Sequence, residues 1–384
     1  MSLSITSDAF IWSIRALLLV AVVAIVWGWP RLARRGILPI LGRLVALTVV
    51  SGLGVINVLA PVNASYGWYL TVADLMPGAE DQRGTAVHQG SASSTAADAP
   101  VASAPIISGP RTRPAQTLNL TETRAGGYQD FTVTGPASGV TGTVTVWFPP
   151  SYTTPAAANR EYPVIEGFHG IQPAPYAYFG VVEIDQAIMD AVAAHQMREA
   201  LVVIPHWAPG GQDNECTDSA AGPKMETWLT KDVPQWVYDN LRAAPGRTSW
   251  AAFGYSAGGW CANMAAMLHP SVYATTISLG GYWRPTFDPP FVPFTPGSPE
   301  AKRYDLIALV HRTPPPVAAW TLTGRQDRLS VPGTERVTRE AKAPFSITTT
   351  ILPQGAHNAD LWIPHIPDAL AWLGKTSRGF APGA

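Results

Sequence analysis

Charged side chains make up only 14% of the 384 residues, against about 25% in ordinary soluble domains. Basic and acidic residues nearly cancel, at 26 and 27 for a net charge of −1. That balance excludes a disordered acidic or basic tail protein and a nucleic-acid binder working through bulk charge. Lysine is scarce, at Lys224, Lys231, Lys302, Lys342 and Lys375 alone. Cysteine is rarer still: Cys216 and Cys261 exclude a Cys-rich metal site and leave one disulfide or two buried thiols. No internal repeat is visible.

Charge is missing altogether from two long stretches near the start. Residues 16–29 carry none and follow the apolar run 9–14, with Arg15 between, while residues 44–72 carry none at all. Each reaches the ~20 residues needed to cross hydrocarbon, so spans are expected at about 9–29 and 40–60. Trp27, Trp29, Trp68 and Tyr69 stand where interfacial aromatics belong. A secretory signal peptide is the competing reading, but a positive n-region and a small-x-small cleavage site are wanting, and a second span follows. Arg31, Arg34, Arg35 and Arg43 lie between or at the edge of the spans. They outvote Arg15 and place the connector in the cytoplasm, with everything beyond residue 65 outside.

Residues 1–75 are therefore expected to be a membrane anchor. Residues 76–116, dominated by Gly, Ala, Ser, Thr and Pro, read as a flexible tether. Residues 117–384 read as one α/β domain. Strand patterns fall at 128–134, 142–148, 163–167, 200–204, 249–254, 275–279, 317–323 and 346–352. Helical spacing covers 183–198 and 228–242, and a helix-compatible run leads to His269. The continuous apolar strands and the alternation with helices predict a doubly wound, mostly parallel sheet.

Gly254-Tyr255-Ser256-Ala257-Gly258 carries the chemistry. Gly-x-Ser-x-Gly between a strand and a helix forms a sharp turn that exposes the Ser hydroxyl, with the helix N-terminus behind it. The pattern alone is weak. Context strengthens it, because Asp327 and His357 follow in the order this fold requires, each just beyond a predicted strand. His357 would take the Ser256 proton and Asp327 would fix the imidazole tautomer; Asp305 is the next acid in line. The N–H of Ala257 is the first expected oxyanion donor, and that of Phe168, with His169 next, the second.

These residues, with 162–170, 202–205, 247–270 and 355–362, resemble the esterase D family of α/β-hydrolases. That family holds S-formylglutathione hydrolases, feruloyl and acetyl xylan esterases and the mycolyltransferases of actinobacterial envelopes. The resemblance covers roughly residues 117–373 and implies Ser256, Asp327 and His357 as triad, with Phe168 and Ala257 supplying the oxyanion N–H groups. Asp327 stands where mycolyltransferases carry Glu, and Ala257 where many members have Met.

His169, His206, Trp207, Trp283 and Trp362 are candidates to line the substrate site. Asp213, Glu215 and Asp218 form an acidic loop that a calcium ion could use, although a solvated loop is the simpler expectation. The topology outside the cytoplasm predicts a Cys216–Cys261 disulfide. The expectation is a membrane-anchored, extracytoplasmic serine esterase or acyltransferase acting on an ester or acylated glycan or lipid of the envelope, without cofactor, metal or nucleic acid. Two readings compete. Loss of a triad member would favour a non-catalytic envelope-binding module, while a membrane sensor signalling through the two helices is opposed by the long tether, which would uncouple any motion.

Overall fold

Two helices open the chain, α1 (Asp8–Leu32) and α2 (Ile37–Tyr66). The computed structural model describes residues 4–66, 69–70, 72, 84–101, 107, 111, 118–171, 175–208, 213–287 and 291–383. Ser7 caps α1 by accepting from the Phe10 N–H at 3.2 Å. The helices pack on each other, yet Leu19, Val26, Trp27, Leu38 and Leu47 remain exposed. At about 1.5 Å per residue each is longer than the ~30 Å hydrocarbon layer. Both are long and apolar enough to cross a membrane. Trp68 lies outside the described residues.

The remaining chain builds one sheet. Its strands are β1 (Ala86–Gly90), β2 (Thr121–Glu122), β3 (Gly127–Thr134), β4 (Thr141–Phe148) and β5 (Val164–Phe168). They continue with β6 (Leu201–Pro205), β7 (Trp250–Tyr255), β8 (Thr275–Leu279), β9 (Ala318–Gly324) and β10 (Ser346–Leu352). The helices of this unit are α3 (Ser93–Asp98), α4 (Ala177–Gly180), α5 (Ile184–Ala193), α6 (Met225–Thr227), α7 (Val233–Asn240) and α8 (Ala257–Leu268). They end with α9 (Pro299–Arg303), α10 (Leu306–Arg312), α11 (Val331–Glu340), α12 (Ala359–Trp362) and α13 (Ile366–Thr376). The strand order is β1-β10-β9-β8-β7-β5-β6-β4-β3-β2. From β10 to β6 the pairing is parallel.

Alternation along each strand divides the core into two layers. Trp250 and Ala252 of β7 face one, with Val203, Leu229 and Met264, while Ala251 and Phe253 face the other, with Ile188, Ile277 and Leu370. Helices cover both faces, so β5 to β9 are buried almost end to end. This is the doubly wound sheet that the continuous apolar runs predict.

The expected tether is shorter than its composition suggests. Within 76–116, β1 pairs antiparallel with β10, Ala86 opposite Thr350 and Gly90 opposite Ser346. Helix α3 then buries Ala96 and Ala97 on Ala274 and Ala318. The Arg247 guanidinium donates to the carbonyls of Ala97, Ala99, Pro270, Tyr273 and Pro316, which stitches α3 to the sheet. An Ala/Ser composition mimics a linker, but small side chains are also what lets α3 lie close against its neighbours. Residues 76–83 and most of 102–117 lie outside the described residues.

Glu226 of α6 is buried and gives a pH prediction. Burial alone would raise its pKa, but donors from His269, Arg303 and Tyr304 outweigh it and hold the carboxyl at about 2. A folded value below the unfolded one means stability that is present above pH ~4.5 and lost as pH falls toward 2. At ~1.4 kcal/mol per unit the loss is on the order of 3 kcal/mol. Glu226→Gln should therefore be less stable than wild type at pH 7, with the gap closing in acid, as denaturant midpoints at graded pH would show. A constant gap would refute it.

Candidate active site

Parallel pairing gathers the C-terminal ends of β5 to β10 along one edge of the sheet, where ligands of open α/β sheets bind. Ser256 sits between β7 and α8 at φ 57°, ψ −128°, a positive-φ conformation rare outside glycine. Its N–H donates to the Leu279 carbonyl at 2.9 Å, and its carbonyl accepts from Gly259 and Trp260 at 2.9 and 3.2 Å. The flanking glycines are required by contact. A Cβ on Gly254 would lie 2.0 Å from the Gly258 carbonyl oxygen, and one on Gly258 only 1.9 Å from that of Phe168. The Gly-x-Ser-x-Gly spacing thus reports a strand, a helix and a neighbouring loop brought too close for side chains.

Asp327 is buried in the loop after β9. Thr323 Oγ1 donates to Oδ2 at 3.0 Å, and the N–H groups of Leu329 and Ser330 donate to Oδ1 at 3.1 and 3.0 Å. Ser330 in turn donates to the Gly280 carbonyl at 2.5 Å, tying this loop to the one after β8. The loop after β10 is stitched to it as well: the Arg325 and Gln326 N–H groups donate to Leu352 and Gly355, each at 3.0 Å. His357 follows two residues later, in the segment that joins β10 to α12. Asp305, the fallback acid, caps α10 through the Ala308 N–H and pairs with Arg284.

Phe168 is the last residue of β5, paired in the ladder with Gly254, fully buried, its carbonyl accepting from Tyr178 Oη at 2.9 Å. Gly170 also comes close to the nucleophile, since a Cβ there would lie 3.7 Å from Ser256 Cβ. The strand runs one residue beyond its expected end. Ala257 opens α8, and the first N–H groups of a helix have no partner within it.

The other candidates divide by burial. His169 is enclosed and stacks on Trp207 with ring centres 5.1 Å apart. Burial pushes its imidazole down to about 4, and Nδ1–H donates to the Gly170 carbonyl at 2.7 Å. Trp207, also enclosed, donates to the His169 carbonyl. Trp283 is buried with its Nε1–H on Thr334, and Trp362 of α12 packs where a Cβ on Gly280 would fall. His206 alone is half-exposed. It sits 3.2 Å from Thr145 Oγ1, whose hydroxyl donates to Asp130; Tyr176 donates to the same carboxyl.

The acidic loop is not a solvated face. Glu215 is fully buried, accepts from Tyr282 and Thr286, and is driven well above the usual carboxyl range by burial. Asp218 accepts from the Thr227 N–H at 3.0 Å and from its hydroxyl. No cluster of three His, Cys, Asp or Glu groups suited to a metal occurs among the described residues. Cys216 and Cys261 are joined, with Cα atoms 5.7 Å apart. Thr323 and Ser330 escaped sequence reasoning. Ser330 was legible from an Asx turn at Asp327 opening a helix, whereas Thr323 lies within the β9 pattern.

The sequence model of the family described as Putative esterase matches residues 137–373. A curated but uncharacterised protein of Corynebacterium glutamicum is 22% identical over 241 residues, covering 60% of this chain and 56% of the relative. The match thus spans little more than half of that relative's length. A ferulic acid esterase superposes with TM-score 0.52 at 18% identity, over 66% of this chain and 97% of its own. An S-formylglutathione hydrolase from Agrobacterium tumefaciens gives 0.53 at 17%, over 68% and 99%. A fluorophosphonate-binding serine hydrolase of Staphylococcus aureus gives 0.52 at 16%, over 65% and 98%. The structural likenesses establish the α/β-hydrolase fold. The family match runs over more than half of the chain, and the chain belongs to the Putative esterase family.

Proposed function

We propose that this chain is a membrane-anchored, extracytoplasmic serine esterase or acyltransferase. The observation that carries the reading is Ser256, held at positive φ between a buried strand and the helix behind it, with glycine demanded on both sides. Ser256 Oγ attacks the ester carbonyl carbon, and His357 takes its proton and passes it to the departing alkoxide. The acyl group remains on Ser256 until water or a second hydroxyl attacks it, again through His357. Asp327, oriented by Thr323, Leu329 and Ser330, steadies the imidazolium. The oxyanion donors are the Ala257 N–H and the Phe168 N–H, with that of His169 next. Among the aromatic candidates, half-exposed His206 is assigned to the substrate site; enclosed Trp207, Trp283 and Trp362 shape its walls. No cofactor is needed for this chemistry.

The arginines flanking the connector support a cytoplasmic hairpin and an outward catalytic domain. A disulfide beside the nucleophile helix accords with an oxidising compartment. The test is turnover of p-nitrophenyl esters of graded chain length, with and without trehalose as acceptor. Release of p-nitrophenol establishes the esterase, and acylated trehalose the transferase. No turnover of any ester would overturn the reading.

Asp327→Asn should reduce turnover by at least about 100-fold while retaining more activity than His357→Ala, because members of a triad act as a unit. Equal activity of Asp327→Asn and wild type would move the acid elsewhere, with Asp305 next.

A further inference from the structure

The position at which the chain joins the catalytic domain bears on the substrate. A Cβ on Gly84 would lie 2.6 Å from Thr350 Cγ2, 3.2 Å from Leu352 Cδ2 and 3.3 Å from the Ile351 carbonyl oxygen. Gly84 therefore sits beside the last residues of β10. That is the edge of the sheet at which the loops carrying Ser256 and Asp327 emerge. From there β1 runs antiparallel to β10, away from that edge. By α3 the chain has reached the opposite end, where Arg247 ties Ala97 and Ala99 to carbonyls at Pro270 and Pro316, ahead of β8 and β9.

The link from α2 to this point is residues 67–83. Even fully extended, such a segment spans at most about 60 Å. The two ends of strands this long stand only about 20 Å apart, but joining at the far end would set the catalytic edge behind the whole sheet. The chain joins instead on the catalytic edge, and β1, α3 and Arg247 hold that choice in place.

We infer that the substrate ester is carried by an amphiphile resident in the same bilayer as the anchor, because Gly84 joins the short link to the sheet edge bearing Ser256. The inference rests on the proposed esterase and anchor. A water-soluble ester gains nothing from the short link, whereas an ester held in the bilayer is offered at high effective concentration, which falls as the link lengthens.

The test uses the full chain in phosphatidylcholine–phosphatidylglycerol vesicles and two substrates, water-soluble p-nitrophenyl butyrate and 4-methylumbelliferyl oleate dissolved in the bilayer. A Gly/Ser insert of about forty residues between positions 75 and 76 should lower oleate turnover about five-fold and leave butyrate turnover unchanged. Without any variant, wild type should hydrolyse oleate at least about ten-fold faster in its own vesicles than in protein-free vesicles mixed with them. Equal oleate rates in either comparison, with butyrate turnover intact, would overturn the inference. Loss of butyrate turnover in wild type would instead overturn the esterase reading, and the inference with it.

Discussion

Ser256→Ala is expected to abolish ester turnover, a loss on the order of 10⁴–10⁶-fold, because nucleophile and base act as one unit and removing either removes the covalent route. The residual rate would come from the oxyanion donors and binding alone. The fold should survive. Ser256 owes its position to backbone bonds with Leu279, Gly259 and Trp260, all of which Ala retains. Its positive φ costs Ala about what it costs Ser. Losing one hydroxyl hydrogen bond costs about 1 kcal/mol, so the melting temperature should move by only a few degrees. A fluorophosphonate should label wild type at Ser256 alone and leave the variant unlabelled. Turnover surviving in the variant, or label at another serine, would refute the triad.

The strands and the elbow were legible for one reason: each is dictated by local pattern. The runs 200–204, 249–254 and 346–352 are apolar or β-branched because both faces of the sheet are covered, and observed strands fall within a residue of them. Gly254 and Gly258 were legible because backbone contact leaves no alternative residue. What sequence could not convey depends on distant partners. Helix α3 is an Ala/Ser run whose order comes from Arg247, some 150 positions away. Strand β5 extends one residue further than its apolar run suggests because Phe168 pairs with Gly254 of β7. Trp207 and Trp283 looked the same in sequence as ring faces open to a ligand, and only the packing around them distinguishes a wall from a platform. Glu215 looked like part of a solvated acidic loop. Its neighbours Tyr282 and Thr286 belong to a segment after β8 that no local pattern links to it.

Reduction of the Cys216–Cys261 bridge is expected to lower the melting temperature by about 10 °C. The bridge closes a separation of 45 residues, which in the chain-entropy model is worth about 4 kcal/mol. In a domain of this size each kcal/mol shifts the midpoint by about 2–4 °C. The consequences should reach the site without touching the triad. Glu215 and Cys216 both hold positive φ, at 52° and 55°, a conformation that L-residues keep only under constraint. Glu215 also gives its carbonyl to Trp260 of α8 and its carboxyl to Tyr282 and Thr286. Once the bridge opens, the loop is free to relax, and a buried carboxyl regains water, so the loop parts from α8 as a unit. Helix α8 carries Ser256 at its head, and its Gly258 presses on Phe168. Turnover should therefore fall several-fold, with fluorophosphonate labelling of Ser256 retained but slower. Thermal melts with and without dithiothreitol, beside a Cys216→Ala/Cys261→Ala variant, check the stability. Mass spectrometry of non-reduced peptides checks the bridge itself. Two free thiols in the folded, oxidised protein, or a midpoint indifferent to reduction, would refute it. Free thiols would also remove the support that the bridge gives to an outward-facing domain, since an oxidising compartment is where such a pair should close.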